Sequence, residues 1–223
     1  MSSADSAARN VRRPGRPPAG PERDVRGELL AAARELFLRY GYRSVSARQV
    51  AAAAGVNPAM IQYYFGSKQG LYAAMLHEAV GPLVARIEAM LAEPADGAAS
   101  LPALLDAYMH TVKSNPWVPG LLMRDVLAPD GNFRERFIDE FASRFAPRVA
   151  SLVKRDIARG ASRADLDPQL TVVSFLSLGL WPFLALPVLR RVLELGTDQS
   201  GIEQLIDHTV KLFAAGTAAG GAK

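Results

Sequence analysis

This chain contains no cysteine, which removes disulfides, thiolate metal sites and a cysteine nucleophile at once and agrees with a reducing cytoplasm. It is almost without histidine. His77, His110 and His208 are the whole set, and none stands at a metal-ligand spacing from another histidine or a carboxylate. Sustained alternation of β-branched and polar residues is missing too, so no strand is expected and no glycine-rich loop can follow one to cradle a phosphate. The paired acids Asp139–Glu140 and Asp165–Asp167 fall where an exposed helix face or a turn explains them. We therefore expect no enzymatic activity, no metal and no cofactor. No N-terminal apolar run resembles a signal peptide. The longest apolar stretch, Val172 to Leu189, is about the length of a membrane span. Pro182, Pro187 and two serines interrupt it, so it reads as a buried helix and no membrane partner is expected.

What the chain has in quantity is alanine, leucine and arginine. Its 223 residues are 49% hydrophobic and 22% charged, enough apolar material to exclude wholesale disorder and to build one domain or two small ones. The periodicity is helical throughout, so the expected class is all-α with about nine helices. A net charge of +4 and a pI near 9.6 permit nucleic-acid binding without demanding it. The distribution says more. Residues 1–26 hold six arginines against two aspartates and one glutamate, most of the excess of the whole chain. Residues 1–22 have no apolar period and read as a disordered basic arm. Arg12, Arg13 and Arg16 in this arm serve either as a solubilising tail or as guanidinium groups for a narrow minor groove, whose negative potential attracts them.

The most informative stretch runs from Ser44 to Leu71. Ser46 followed by Gln49 is a capping box, which predicts a helix from about Ala47 to Ala54, ended by Gly55. Asn57–Pro58 is a second start signal, an N-cap followed by a proline whose missing N–H is no loss there. The helix it opens carries Ile61, Gln62, Tyr63, Tyr64 and Phe65 and stops at Gly66. Helix, turn with glycine, helix is the layout of a helix-turn-helix, and Ala51 and Ile61 are the small crossing residue and the plug that such a pair needs. A first helix from about Arg23 to Tyr40 braces them with Val25, Leu29, Ala33, Leu36 and Phe37 on one stripe. Residues 23–68 are thus expected to form a three-helix DNA-binding domain.

Beyond it, Ser67 caps a fourth helix, and Lys68 in its first turn is placed to clamp a phosphate. That helix should run to about Glu93, bent at Pro82. A loop over Pro94–Ser100 follows, then a helix over Leu101–Ser114 and a short one after the corner Asn115–Pro119. A long helix is expected over Asn132–Arg159, with Phe133, Phe137, Phe141 and Phe145 four apart. Asp167–Pro168 opens an almost wholly apolar helix to about Leu195, and a capping-box pattern at Ser200–Glu203 opens a last helix to about Ala214. These helices make an effector-binding and dimerisation domain over residues 69–216, with a flexible tail over 217–223. A helix apolar on every side must be buried on every side, which in so small a chain calls for a second copy across the last two helices. Tyr108, Met109, Trp117, Leu121, Phe137, Phe141, Phe175 and Trp181 fit either plain core packing or the lining of a cavity between the middle helices. His110 is the most suggestive ionisable group near them. Such a cavity suits an apolar or amphipathic effector: an aromatic compound, an acyl chain or a cationic drug.

Three runs of residues carry a family resemblance: Ala32, Ala33, Leu36, Phe37, Gly41 and Tyr42; then Val45, Ser46, Val50, Ala51, Ala53, Ala54, Gly55 and Val56; then Tyr63, Phe65, Ser67, Lys68 and Leu71. From about Val25 to Leu76 the chain resembles the DNA-binding domain of the tetracycline-repressor (TetR) family. The resemblance implies a cytoplasmic, nucleoid-associated bacterial repressor. As a homodimer it would insert two recognition helices into successive major grooves of a near-palindromic operator, and a small effector would release it. By position, Asn57 to Tyr64 is the recognition helix, with Pro58, Ala59, Gln62 and Tyr63 facing the groove. Gln62 suits adenine, Ala59 a thymine methyl, and Tyr63 and Tyr64 phosphate. Arg43, Ser46, Arg48 and Lys68 would hold the backbone. Tyr64 stands where the family often has His, and Gln62 where Tyr is frequent, which bears on operator sequence rather than binding mode. A ligand-dependent activator, or a helical carrier whose basic arm is a mere tail, are the alternatives.

Overall fold

The structure, a computed structural model, describes residues 23–92, 100–196 and 198–220. Arg12, Arg13, Arg16 and most of the Pro94–Ser100 loop lie outside the described residues. Among the described residues everything regular is helical, apart from one isolated bridge between Ser162 and Ala218.

Helix α1 spans Val25–Ser44, and Asp24 caps it by accepting the Gly27 N–H at 2.8 Å. Its helical run is broken at Gly41, whose φ of 82° needs glycine. Helix α2, Ala47–Ala53, opens on a reciprocal capping box: Gln49 N–H donates to Ser46 Oγ at 3.2 Å, and Ser46 N–H donates to Gln49 Oε1 at 2.7 Å. Gly55, with φ 64°, turns the chain toward α3, Ala59–Phe65. The Asn57 side chain receives the Ala59 N–H at 2.8 Å, so the second start signal acts as its residue types require. Helix α4, Lys68–Ala92, begins under Ser67, whose Oγ accepts from Gly70 N–H at 3.0 Å. Pro82 lies inside one continuous helix and does not split it.

Helix α5 spans Leu101–Ser114, and α6, Val118–Leu122, passes directly into a π-helical turn over Met123–Leu127. Then α7 (Arg134–Phe137), a second π-helical turn (Ile138–Ala142) and α8 (Ser143–Ala158) run on from one another as a single body. The long helix expected from Asn132 therefore opens two residues later and is widened in the middle, where Ser143 Oγ donates to Ile138 O at 2.6 Å. Helix α9 covers Pro168–Val192, capped by Asp167, and α10 covers Gln199–Thr217. The cap of α10 is Asp198, which accepts from Gly201 N–H at 2.9 Å, and not Ser200. A carboxylate accepts more strongly and favours the helix dipole, so it takes the cap ahead of the hydroxyl.

Two cores share α4. In the first, Leu29, Phe37, Val50 and Ile61 of the three-helix unit pack with Leu71, Tyr72 and Leu76 of α4, and with Leu121, Val126 and Phe133 from farther along the chain. In the second, Leu83 and Ile87 join Leu104, Met109, Leu152, Phe175 and Phe213. Each fully buried side chain of this size contributes about 1.5–3 kcal/mol, so the start of α4 is packed into the same core as the three-helix unit. Helix α9 is apolar on both faces, and its own chain covers only one of them. Val172, Phe175 and Gly179 are buried on one face, while Leu170, Val173, Trp181, Val188 and Val192 are 59–70% exposed on the opposite one. It is long and apolar enough to cross a membrane, with 17% of its most apolar window buried.

Candidate nucleic-acid interface and apolar cavity

Helix α3 is sharply two-faced. Ile61 is 2% exposed and plugs the first core, whereas Tyr63 is 76% exposed. Asn57, Pro58, Ala59, Gln62 and Tyr64 are exposed with Tyr63, and Ser46 and Arg48 are exposed at the start of α2. The Tyr63 and Tyr64 rings meet edge to face at 4.9 Å, which limits the rotamers of both. Phe65 turns inward against the first core, and the Arg26 guanidinium lies 5.7 Å from its ring centroid. The expected groove-facing residues Pro58, Ala59, Gln62 and Tyr63 are thus brought to one exposed surface.

Three cations fix the position of this surface. Arg23 donates to Ala54 O at 2.9 Å and to Glu28, capping the C-terminus of α2 from outside. The Lys68 ammonium donates to Tyr42 O at 2.9 Å and Val45 O at 2.8 Å, and sits 4.1 Å from the Tyr42 ring centroid. Desolvation lowers its pKa. The structure therefore gives Lys68 a bracing role between α1 and α4, in contrast to the exposed phosphate clamp expected from its place in a first turn. Arg43 reaches Asn132 Oδ1 at 2.8 Å and Asp130 O at 3.2 Å, so it also links the DNA-binding unit to the second domain. Arg23 was not singled out by sequence, because a cap contributed from more than thirty residues away leaves no local pattern.

A second junction contact, through Arg124, is likewise absent from the sequence reading. Arg124, on the π-helical turn, donates to Phe37 O at 2.8 Å and to both oxygens of Asp125 at 3.1 Å. Asp125, 6% exposed, also accepts from the hydroxyl of buried Tyr72 at 2.8 Å. Burial, with the Asp125 charge second, pushes the Tyr72 phenol far above its usual range. A lone Arg–Asp pair inside the apolar run Leu121–Leu127 is the signal that was there to find.

Between α4, α5, α6, α8 and α9 lies an apolar cavity of about 140 Å³. Tyr108, Phe137 and Phe141 line it, as expected, together with Leu83, Phe145 and Leu180. Phe175 stands behind Tyr108, stacked on it at 5.5 Å and 11°. The other candidates do not reach the cavity. Met109 and Leu121 are 0% and 1% exposed inside the two cores, one helical step away from lining positions. Trp117 faces a separate cleft with Arg34 and Glu78. Trp181 is 61% exposed, because one residue past Leu180 a helix has turned by about 100°. His110 is turned away toward Asp106 O and Glu203.

A helix-turn-helix with an exposed second helix, carried on a helical domain with an apolar cavity, defines a DNA-binding regulator. Residues 29–75 match the family model "Bacterial regulatory proteins, tetR family", so the N-terminal part of the chain is the DNA-binding domain of TetR-family transcriptional regulators. It is similar to the transcriptional repressor KstR2 of Rhodococcus jostii, 24% identical over 145 residues, which cover 65% of this chain and 71% of KstR2. It is also similar to the transcriptional activator FasR of Mycolicibacterium smegmatis, 32% identical over 93 residues and covering 42% of each. Its fold is shared with FadR of Bacillus subtilis, solved in complex with stearoyl-CoA, at a TM-score of 0.64 and 15% identity over 85% of this chain and 98% of that one.

Proposed function

We propose that the protein is a homodimeric repressor that binds a near-palindromic operator and is released by a small apolar or amphipathic effector. The observation that carries the DNA reading is the exposure of Gln62, Tyr63 and Tyr64 on a helix whose opposite residue, Ile61, is 2% exposed. Gln62, Ala59 and Pro58 face base edges; Ser46, Arg48, Tyr63 and Tyr64 contact phosphate, and the arm with Arg12, Arg13 and Arg16 follows the minor groove. The second copy covers the exposed face of α9, since an apolar stripe of this kind is costly to leave in water. The effector occupies the cavity, whose wall continues through α6 and its π-helical turn to Arg124 and so to α1. Binding at either end shifts the same equilibrium only by its differential affinity for two states. The place of action is the cytoplasm.

The experiment is a gel shift with the DNA upstream of the protein's own gene, repeated after deleting residues 1–16. Specific binding at low salt supports the reading, and its absence removes it. Without the arm the salt dependence should flatten by roughly one unit of slope for each phosphate that an arginine no longer neutralises. FasR is named an activator, so the direction of control is read separately, from a reporter with and without the protein.

A further inference from the structure

The apolar cavity does not end at its own walls. It is partly open, and two of its lining residues, Ala79 and Asn115, also line the cleft that Trp117 faces. On α4, Leu76, Ala79 and Leu83 border the cavity, while Met75, Glu78 and Ala79 border the cleft, so the two spaces adjoin at Ala79. The far wall of the cleft is α1, where Gly27, Leu30 and Arg34 recur at helical spacing on one face. A molecule that leaves the cavity at Ala79 therefore enters a space walled by the DNA-binding unit.

The two spaces differ in chemistry. The cavity exposes almost no polar surface, and Tyr108, whose phenol burial keeps protonated, is its one ionisable lining residue. A charged group placed there loses its hydration without a counterion, so the cavity accepts the apolar part of a ligand only. Because the cavity is open, its volume of about 140 Å³ limits the buried portion of the ligand and not its length. The cleft exposes polar and apolar surface together, and its ionisable residues are Arg34 and Glu78. Glu78 is already paired, accepting from Arg26 at 3.1 Å. Arg34 forms no hydrogen bond or ion pair among the described residues. The charge left over at the cleft is positive, and it calls for an anion.

We propose that the effector is an amphipathic acid. Its apolar chain fills the cavity, and its anionic head passes Ala79 and Asn115 to meet Arg34 in the cleft. This rests on the effector reading above and names its ligand class. It also gives the ligand a direct contact with α1, so the affinity difference between two states of the protein is set partly by the ligand's own touch on the DNA-binding unit.

The test uses the full chain, with binding followed by calorimetry below the micellar range. The probes are decanoate, decanol and decyltrimethylammonium. Decanoate should bind more tightly than decyltrimethylammonium. Arg34→Gln should weaken decanoate about two- to fivefold, the range for an exposed ion pair, and leave decanol unchanged. The direction of the chain is read separately in a Trp181→Phe background, where Trp117 is the one remaining tryptophan. A bromine beside the carboxylate, in 2-bromodecanoate, should quench Trp117 fluorescence, and a bromine at the chain end, in 10-bromodecanoate, should not. Tighter binding of the ammonium, or an equal effect of Arg34→Gln on decanoate and decanol, overturns the anionic head. Quenching by the chain-end bromine alone, or equally by both, overturns the placement, and silence from all three probes overturns the class. If decanoate behaves as expected yet does not loosen the protein from its upstream DNA, the ligand class holds and the release reading fails.

Discussion

The hydroxyl of Tyr72 donates to Asp125 at 2.8 Å, joining α4 to the π-helical turn over Met123–Leu127 at a buried site that faces the DNA-binding unit on one side. The same carboxylate holds Arg124, and Arg124 holds the carbonyl of Phe37. Tyr72, Asp125, Arg124 and α1 thus form one chain of bonds, a direct polar route from the second domain to the helix that braces α3.

Tyr72→Phe keeps the ring contacts to Phe37, Tyr42 and Phe133 and removes only that donor. A buried carboxylate deprived of one of its partners should cost about 1–3 kcal/mol. Urea unfolding should show a lower midpoint with an unchanged slope. An unchanged midpoint would mean that Arg124 alone satisfies Asp125.

The buried phenols give stability an alkaline limit. Tyr72, Tyr108 and Tyr42 all have raised pKa values, mainly through burial. Above about pH 10 the unfolded chain loses phenolic protons that the folded chain keeps, so unfolding free energy falls as pH rises. Lys68, lowered by desolvation, acts in the opposite sense, but it is one group against three. Denaturation midpoints from pH 8 to 11 should therefore stay level and then decline. The double variant Tyr72→Phe/Tyr108→Phe should decline less steeply, and a parallel decline in both proteins would assign the effect elsewhere.

Lys68→Gln separates a brace from a phosphate clamp. With two carbonyls as partners, the side chain should be worth about 1.5–3 kcal/mol of stability, the range for hydrogen bonds to charged groups. The salt slope of DNA binding should stay as in the wild type. A slope lower by about one unit would show a direct phosphate contact after all.

Trp181→Asp probes the proposed dimer face. At 61% exposed, Trp181 lies on the open stripe of α9, while its neighbour Leu180 lines the cavity, so only the former tests association without disturbing the chamber. Sedimentation should give a dimer for the wild type and a folded monomer for the variant. A dimer that survives the substitution places the interface on another surface.

Much of this was legible in the sequence where the signal is local. The Ser46–Gln49 box, Gly41, Gly55 and Asn57 each mark a boundary with one or two residues, and each adopts the conformation or forms the bond its chemistry requires. Facing directions were harder. Trp181 and Met109 are aromatic and apolar like their cavity-lining neighbours, and only the helix phase sends one outward and the other into a core. The π-helical turns at Met123–Leu127 and Ile138–Ala142 shift that phase and have no residue signature of their own. Arg23, Lys68 and Arg124 act across 23 to 87 positions of chain, a distance at which one sequence shows only a charge without its partner.

The central claim is sequence-specific DNA binding by the exposed face of α3, and fluorescence anisotropy on two duplexes measures it directly. One carries the DNA upstream of the protein's own gene, the other the same bases scrambled, and both are titrated with the wild type and with Gln62→Ala at fixed salt. The wild type should prefer the upstream duplex by at least about 10³-fold. Gln62→Ala should lower that preference by about 1–3 kcal/mol and leave the scrambled duplex unaffected. Equal affinity of the wild type for both duplexes would contradict the account.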